Sequence, residues 1–121
     1  MSDVLLTTLK KAWETQDVEA AAALYAPEAI FEDGAGKGGQ IFQGPEGVRT
    51  VMREMFRLPR AQFGVISMSS SPGRGVAEWT YSWADPRSGR RQRLRGVSII
   101  EIRETTVVRE TSYYNPEPEY E

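Results

Sequence analysis

Between Asp17 and Arg49 the sequence DVEAAAALYAPEAIFEDGAGKGGQIFQGPEGVR changes its hydrophobic period twice, and few folds accommodate that change. Asp17 suits an N-cap for an alanine-rich helix over Val18 to Tyr25, with Glu19 near the positive helix end. Pro27 stops this helix, because the residue before a proline is pushed out of the helical region. Ile30 to Asp33 then reads as a short strand that delivers an acidic pair, Glu32 and Asp33. Gly34 to Gly39 forms a flexible turn, with Gln40 to Gln43 as the return strand. Gly44-Pro45 opens another helix, whose apolar face is Val48, Val51, Met52, Met55 and Phe56, and Leu58-Pro59 ends it.

Upstream, Val4, Leu5, Leu9, Ala12 and Trp13 recur at helical spacing and mark a first amphipathic helix. Downstream the chain is extended, in runs over Phe63 to Ser70, Val76 to Ala84, Arg91 to Arg103 and Thr106 to Tyr114, with turn residues between them. Three helices before an antiparallel meander make an α+β domain. Its strongly curved sheet wraps round the helices and leaves a cone-shaped pocket open at one end. Pockets of that kind suit apolar ligands with a few polar anchors. The 121 residues fit one domain, within the ~100–200 residues usual for one. That domain is expected over 1–115, with 116–121 as an acidic tail, frayed or draped over a neighbour.

Composition removes several chemistries. The chain has no cysteine and no histidine, which excludes thiolate nucleophiles, Cys- or His-ligated metal sites and every mechanism with a histidine base. No cofactor is implied. A net charge of −2 gives no electrostatic reason to expect nucleic acid. The basic run Arg87, Arg90, Arg91, Arg93 and Arg95 straddles a turn and alternates along a strand, as a solvated hairpin does. No apolar run approaches the ~20 residues of a membrane span, and the N-terminus lacks the order of a signal peptide, so a cytoplasmic location is the default. GAGKGG at Gly34 to Gly39 is not a phosphate loop, because no glycine stands five residues before Gly36. In addition, Gly38 follows Lys37 where a Ser or Thr should hold magnesium.

The order of elements around Ile30-Phe31-Glu32-Asp33, followed by the closing run RLRGVSIIEIRETTVVRETSYYNP, resembles the nuclear transport factor 2-like superfamily. That superfamily includes the SnoaL-like polyketide cyclases and the ketosteroid isomerases. The resemblance covers about Leu5 to Asn115. It implies that Asp33 stands where ketosteroid isomerases present their general base, and an apolar cone would raise its proton affinity. The plainer alternative is that Asp33 hydrogen-bonds the Gly34 turn.

The resemblance also implies which strand faces look inward. Glu78 resembles the acidic residue on the same strand of limonene epoxide hydrolases, so Val76, Glu78, Thr80 and Ser82 are expected inside. Trp79, Tyr81 and Trp83 are then expected outside, as the contact surface of a homodimer. Ser98, Glu110, Ser112 and Tyr114 are expected to look into the pocket. Trp13, Met52, Met55 and Phe56 are candidate lining residues, with core packing as their alternative. The resemblance is partial, because the isomerase tyrosine falls near Leu9 and its late acid near Ser98. Likewise, the epoxide hydrolase arginine falls at Val76 and the second acid of that family at Ser112. An acid/base polyketide cyclase asks least, and Asp33, Glu78 or Glu110 meets it.

Two functions follow from these residues. One is a cofactor-independent cyclase, isomerase or lyase acting on a small apolar carbonyl or polycyclic compound. Asp33 would be its base, with Glu78, Glu110 and Tyr114 positioning or relaying protons. The other is a non-catalytic ligand-binding or dimerisation module of the same fold.

Overall fold

The computed structural model describes residues 2–36 and 38–120, so Lys37 lies outside the described residues. Three helices, α1 (Ser2–Glu14), α2 (Val18–Ala22) and α3 (Gly44–Phe56), pack on one curled, unclosed sheet. Its strands are β1 (Tyr25–Asp33), β2 (Gln40–Gln43), β3 (Gln62–Ser71), β4 (Arg74–Ala84), β5 (Arg91–Arg103), β6 (Thr106–Tyr114) and β7 (Glu119–Tyr120). They lie in the order β2-β1-β6-β5-β4-β3, and β7 pairs with β5 beyond the end of β6. Every pairing is antiparallel except that of β1 with β6, which is parallel.

The apolar stripe of α1 is what the sheet wraps. Leu5, Leu6, Leu9, Ala12 and Trp13 are all buried, and the helix lies across β3 and β4. It approaches so closely that a Cβ at Gly75 would stand 2.6 Å from a Leu6 methyl. The α3 stripe buries Val48, Val51 and Met52 against β1 and α2. Gly44 starts that helix at a φ of 66°, where a Cβ would meet the Pro27 carbonyl at 2.6 Å. Both the conformation and the contact therefore require glycine there.

Several sequence expectations are corrected. Asp17 does cap α2, accepting from the Ala20 N–H at 3.1 Å, but the helix ends at Ala22 rather than Tyr25. Long-range pairing outcompetes the local helix: the Leu24 carbonyl accepts from Val107 N–H at 2.9 Å, and Tyr25 pairs with Val107. Pro27 consequently lies inside β1, where the register with β6 slips between Tyr25 and Ile30. A proline is tolerated at such an irregularity because no ladder bond is lost. The tail is also ordered differently from expectation, since β7 pairs Glu119 and Tyr120 with Arg93 and Gln92. Arg93 bonds Glu119 at 3.2 Å, and the Arg90 guanidinium sits 4.5 Å over the Tyr120 ring.

The largest correction concerns β4. Ala77, Trp79 and Tyr81 are buried and face the helices, whereas Glu78 looks outward and accepts from the Ser67 hydroxyl at 3.2 Å. Burying two aromatic rings, each ~150–250 Å² of surface, outweighs anything a carboxylate gains in the interior. Trp83 is half-buried and stacks on Tyr81 at 5.0 Å. The outward aromatic surface expected for a homodimer thus lacks Trp79 and Tyr81, two of its three residues. Beside β4, the edge strand β3 carries a bulge between Val65 and Ser67, which leaves Ile66 55% exposed.

Gly96, the β5 partner of Trp79, sets the depth of the indole in the fold. A Cβ there would lie 2.4 Å from the Trp79 ring and 2.8 Å from the Tyr113 carbonyl. Gly96→Ala is therefore expected to cost about 1–3 kcal/mol through overpacking. Urea unfolding followed by tryptophan fluorescence measures this cost, and a red-shifted folded-state emission would accompany it.

Candidate active site

The cavity lies between α1 and the concave face of the sheet, and it is built mainly from rings. Trp13 packs with Phe31 at 6.2 Å and with Phe63 at 5.4 Å, Phe63 with Trp79 at 5.6 Å, and Trp79 with Tyr114 at 5.8 Å. Leu9, Met55, Leu94 and Ile100 complete the apolar walls. The cavity opens to solvent at one side, and its volume is about 110 Å³. Lys10 also borders the cavity, paired with Glu14 at 3.0 Å.

Two carboxyl groups face into this space. Asp33 ends β1, and its side chain is held by β6. Ser112 Oγ donates to Asp33 Oδ1 at 3.2 Å, and Tyr114 Oη donates to Oδ2 at 3.3 Å. The Gly34 turn takes other partners: Ala35 N–H bonds the Ser112 carbonyl at 2.8 Å, and Gly34 N–H reaches Ser112 Oγ at 3.4 Å. Asp33 is therefore a cavity group and not the cap of its own turn. Burial raises its proton affinity above the ordinary aspartate range, and the Ser112 and Tyr114 hydroxyls oppose the rise.

Glu110 is buried on β6, across from Ile100 and beside Phe31. Tyr25 Oη donates to its Oε1 at 2.5 Å and in turn accepts from Trp13 Nε1 at 3.3 Å. Burial pushes the Glu110 carboxyl up to about 7, against hydrogen bonds from Tyr25 and Ser98, and the charge of Asp33 adds to the rise. Burial thus raises the proton affinity of both carboxyl groups, and more strongly for Glu110 than for Asp33. Desolvation also raises Tyr114 and Tyr81 to about 12, so both remain neutral phenols.

The structure brings together Asp33, Glu110, Tyr114, Ser98, Ser112, Trp13 and Met55 of the residues expected from sequence. It leaves out Glu78, on the outer face. Met52 is fully buried beneath the cavity in the core, and Phe56 packs edge-on against Trp13 at 6.3 Å without lining the space. Tyr25, Trp79, Tyr81 and Phe63 are the lining or supporting residues that sequence reasoning placed elsewhere. The alternation Ala77, Trp79, Tyr81 carried the signal for two of them, since an aromatic stripe on a strand is most often buried. Among the described residues no cluster of three or more His, Cys, Asp or Glu side chains could hold a metal. No helix among them is long and apolar enough to cross a membrane.

Comparison with known proteins agrees with this architecture. Residues 7–110 match the model of the SnoaL-like domain. The chain belongs to the SnoaL-like domain family. The fold is shared with a Catenulispora acidiphila protein of ketosteroid isomerase-like fold, solved with trimethylamine. The two are 13% identical over 93% of this chain and 85% of that one, with a TM-score of 0.79. A candidate polyketide cyclase of Xanthomonas campestris is 17% identical over 93% and 89% of the two chains, with a TM-score of 0.76. An epoxide hydrolase of the limonene epoxide hydrolase-like type from M. tuberculosis is 13% identical over 92% and 80%, with a TM-score of 0.71. No functionally curated protein matches the chain. In this SnoaL-like domain the one acid that the epoxide hydrolase resemblance did match, Glu78, points away from the cavity, and Val76, at the place of that family's arginine, lies on the same outer face.

The raised Glu110 carboxyl has a stability signature. Because its folded-state value lies above the ordinary 4.5, its contribution is fully present below pH 4.5 and is lost as pH rises through about 7. That gap corresponds to about 3 kcal/mol. Glu110→Gln is expected to abolish this part of the pH dependence, so the variant gains on the wild type between pH 4.5 and 8. Urea unfolding of both proteins across that range measures the difference.

Proposed function

We propose that this SnoaL-like protein binds a small, mostly apolar carbonyl compound and catalyses cofactor-independent proton transfer on it, as a cyclase, isomerase or lyase. The observation that carries the reading is the Asp33 carboxylate, desolvated among aromatic walls and held at both oxygens by Ser112 and Tyr114. The two hydrogen bonds direct its lone pairs, and desolvation raises its basicity against them, which together suit abstraction of a proton beside a carbonyl. Asp33 takes the proton from the α-carbon, the electron pair moves toward the carbonyl oxygen, and Asp33 returns a proton to carbon. Tyr114 and Ser112 act as positioning residues that keep Asp33 aimed into the cavity.

The volume limits the ligand. The space of about 110 Å³ between the walls is of the order that holds one ring, since a closed apolar cavity of ~150 Å³ takes benzene. A one-ring ketone or a short-chain carbonyl compound fits that space better than a tetracyclic steroid. The neighbours that are named as cyclase or isomerase-like support the reaction class, and the cavity supports the smaller end of its substrates.

The test is deuterium incorporation at the α-carbon of one-ring ketones in heavy water, followed by NMR. Exchange above the buffer rate is expected with the wild type, and Asp33→Asn is expected to lower it by about 10²–10⁴-fold, the usual worth of a positioned base. Saturable binding without any exchange would instead make the domain a ligand-binding module.

A further inference from the structure

We infer that Glu110 is the hydrogen-bond donor of the cavity: Trp13 and Tyr25 fix the direction of its acid proton, and the ligand meets that proton with an acceptor oxygen. The inference starts from what an indole can do. Its Nε1–H donates and never accepts. Trp13 Nε1 donates to Tyr25 Oη at 3.3 Å, and Tyr25 is only 3% exposed. A buried phenol proton left without an acceptor costs about 1–3 kcal/mol. Among the described residues the acceptor that Tyr25 reaches is Glu110 Oε1, at 2.5 Å. Tyr25 therefore donates to Glu110, and Glu110 does not donate to Tyr25.

A similar polarity recurs on the other side. Trp79 Nε1 donates to Ser98 Oγ at 2.9 Å, and the nearby Ser98 hydroxyl favours the charged form of the Glu110 carboxyl. The Trp13–Tyr25 chain is the one that points a proton at Glu110 through direct contacts. When Glu110 is neutral, its own proton belongs on the oxygen away from Tyr25 and has the cavity to face.

A census of the other polar groups around the cavity gives this proton its importance. Tyr81 Oη on β4 is committed to the Met55 carbonyl at 2.5 Å. Tyr114 and Ser112 on β6 are committed to Asp33 on β1, and Lys10 on α1 is paired with Glu14. The hydroxyl and indole donors of the walls already serve protein acceptors. Neutral Glu110 supplies the proton for a ligand acceptor, and the Asp33 carboxylate, when charged, supplies the acceptor for a ligand proton. On the carbonyl reading above, the substrate oxygen lies against Glu110 and its acidic carbon against Asp33.

The direction of the Tyr25 bond is measurable without any ligand. Infrared titration of the protonated carboxyl band, identified by its loss in Glu110→Gln, gives the Glu110 midpoint, expected near 7 in the wild type. If Tyr25 donates, Tyr25→Phe removes a bond that favours the carboxylate, so the midpoint rises and the band moves to higher wavenumber. If Glu110 donates to Tyr25, the midpoint falls, and a fall or no change overturns the inference. Ser98→Ala is expected to raise the midpoint as well and serves if Tyr25→Phe fails to fold.

A second readout uses cyclohexenone bound to the wild type. Its carbonyl stretch is expected at lower wavenumber at pH 6 than at pH 8.5, and equal frequencies would overturn the donor role. Failure of cyclohexenone to bind at all would count against the proposed carbonyl ligand, while the sign of the Tyr25→Phe shift still decides the orientation of Glu110.

Discussion

The parallel pairing of β1 with β6 is the constraint on which the rest depends. It is the one parallel ladder in the sheet, and its register sets Phe31 beside Glu110 and Glu32 beside Thr111. That register places Asp33 within reach of the Ser112 and Tyr114 hydroxyls. It also carries Tyr25, at the start of the same strand, to Glu110. A slip of one residue would turn these side chains to the opposite face and break all three bonds at once. The ladder is supported from behind by α3, whose buried Val48, Val51 and Met52 press on β1. The tight approach of Gly44 to Pro27 is thus a condition for the chemistry of the cavity as well as for the packing of a helix.

The order of elements was legible because each leaves a local mark. Helical periodicity located α1 and α3, and turn residues separated the four long strands correctly. Local signals failed where a distant strand decides the conformation. Alanine-rich Ala20 to Leu24 favours a helix by itself, yet Val107 claims the Leu24 carbonyl and ends the helix early. The acidic tail lacks apolar periodicity, and its pairing with β5 rests on backbone bonds and on Arg90 and Arg93 from the neighbouring hairpin.

The site divides along the same line. Asp33, Glu110, Ser112 and Tyr114 could be found because strand alternation grouped the last three on one face, and the family resemblance turned that face and the acidic pair toward the pocket. Tyr25 was assigned to a helix, so its bond to Glu110 had no place in a sequence argument. The inward face of β4 was misjudged for a different reason: family likeness was allowed to outweigh the burial of Trp79 and Tyr81. Hydrophobic area favoured the correct face, at about 25 cal/mol per Å² over two large rings.

The open sheet has two free edges, and they are blunted in different ways. At one end β2 is only four residues long. At the other, the β3 bulge lifts Ile66 out of the ladder and breaks the even spacing of backbone groups that a foreign strand would need for pairing. A domain that curls a hydrophobic sheet without closing it is exposed to stacking edge to edge into fibrils. One displaced residue on β3 therefore gives the fold a means of remaining a discrete particle at high concentration.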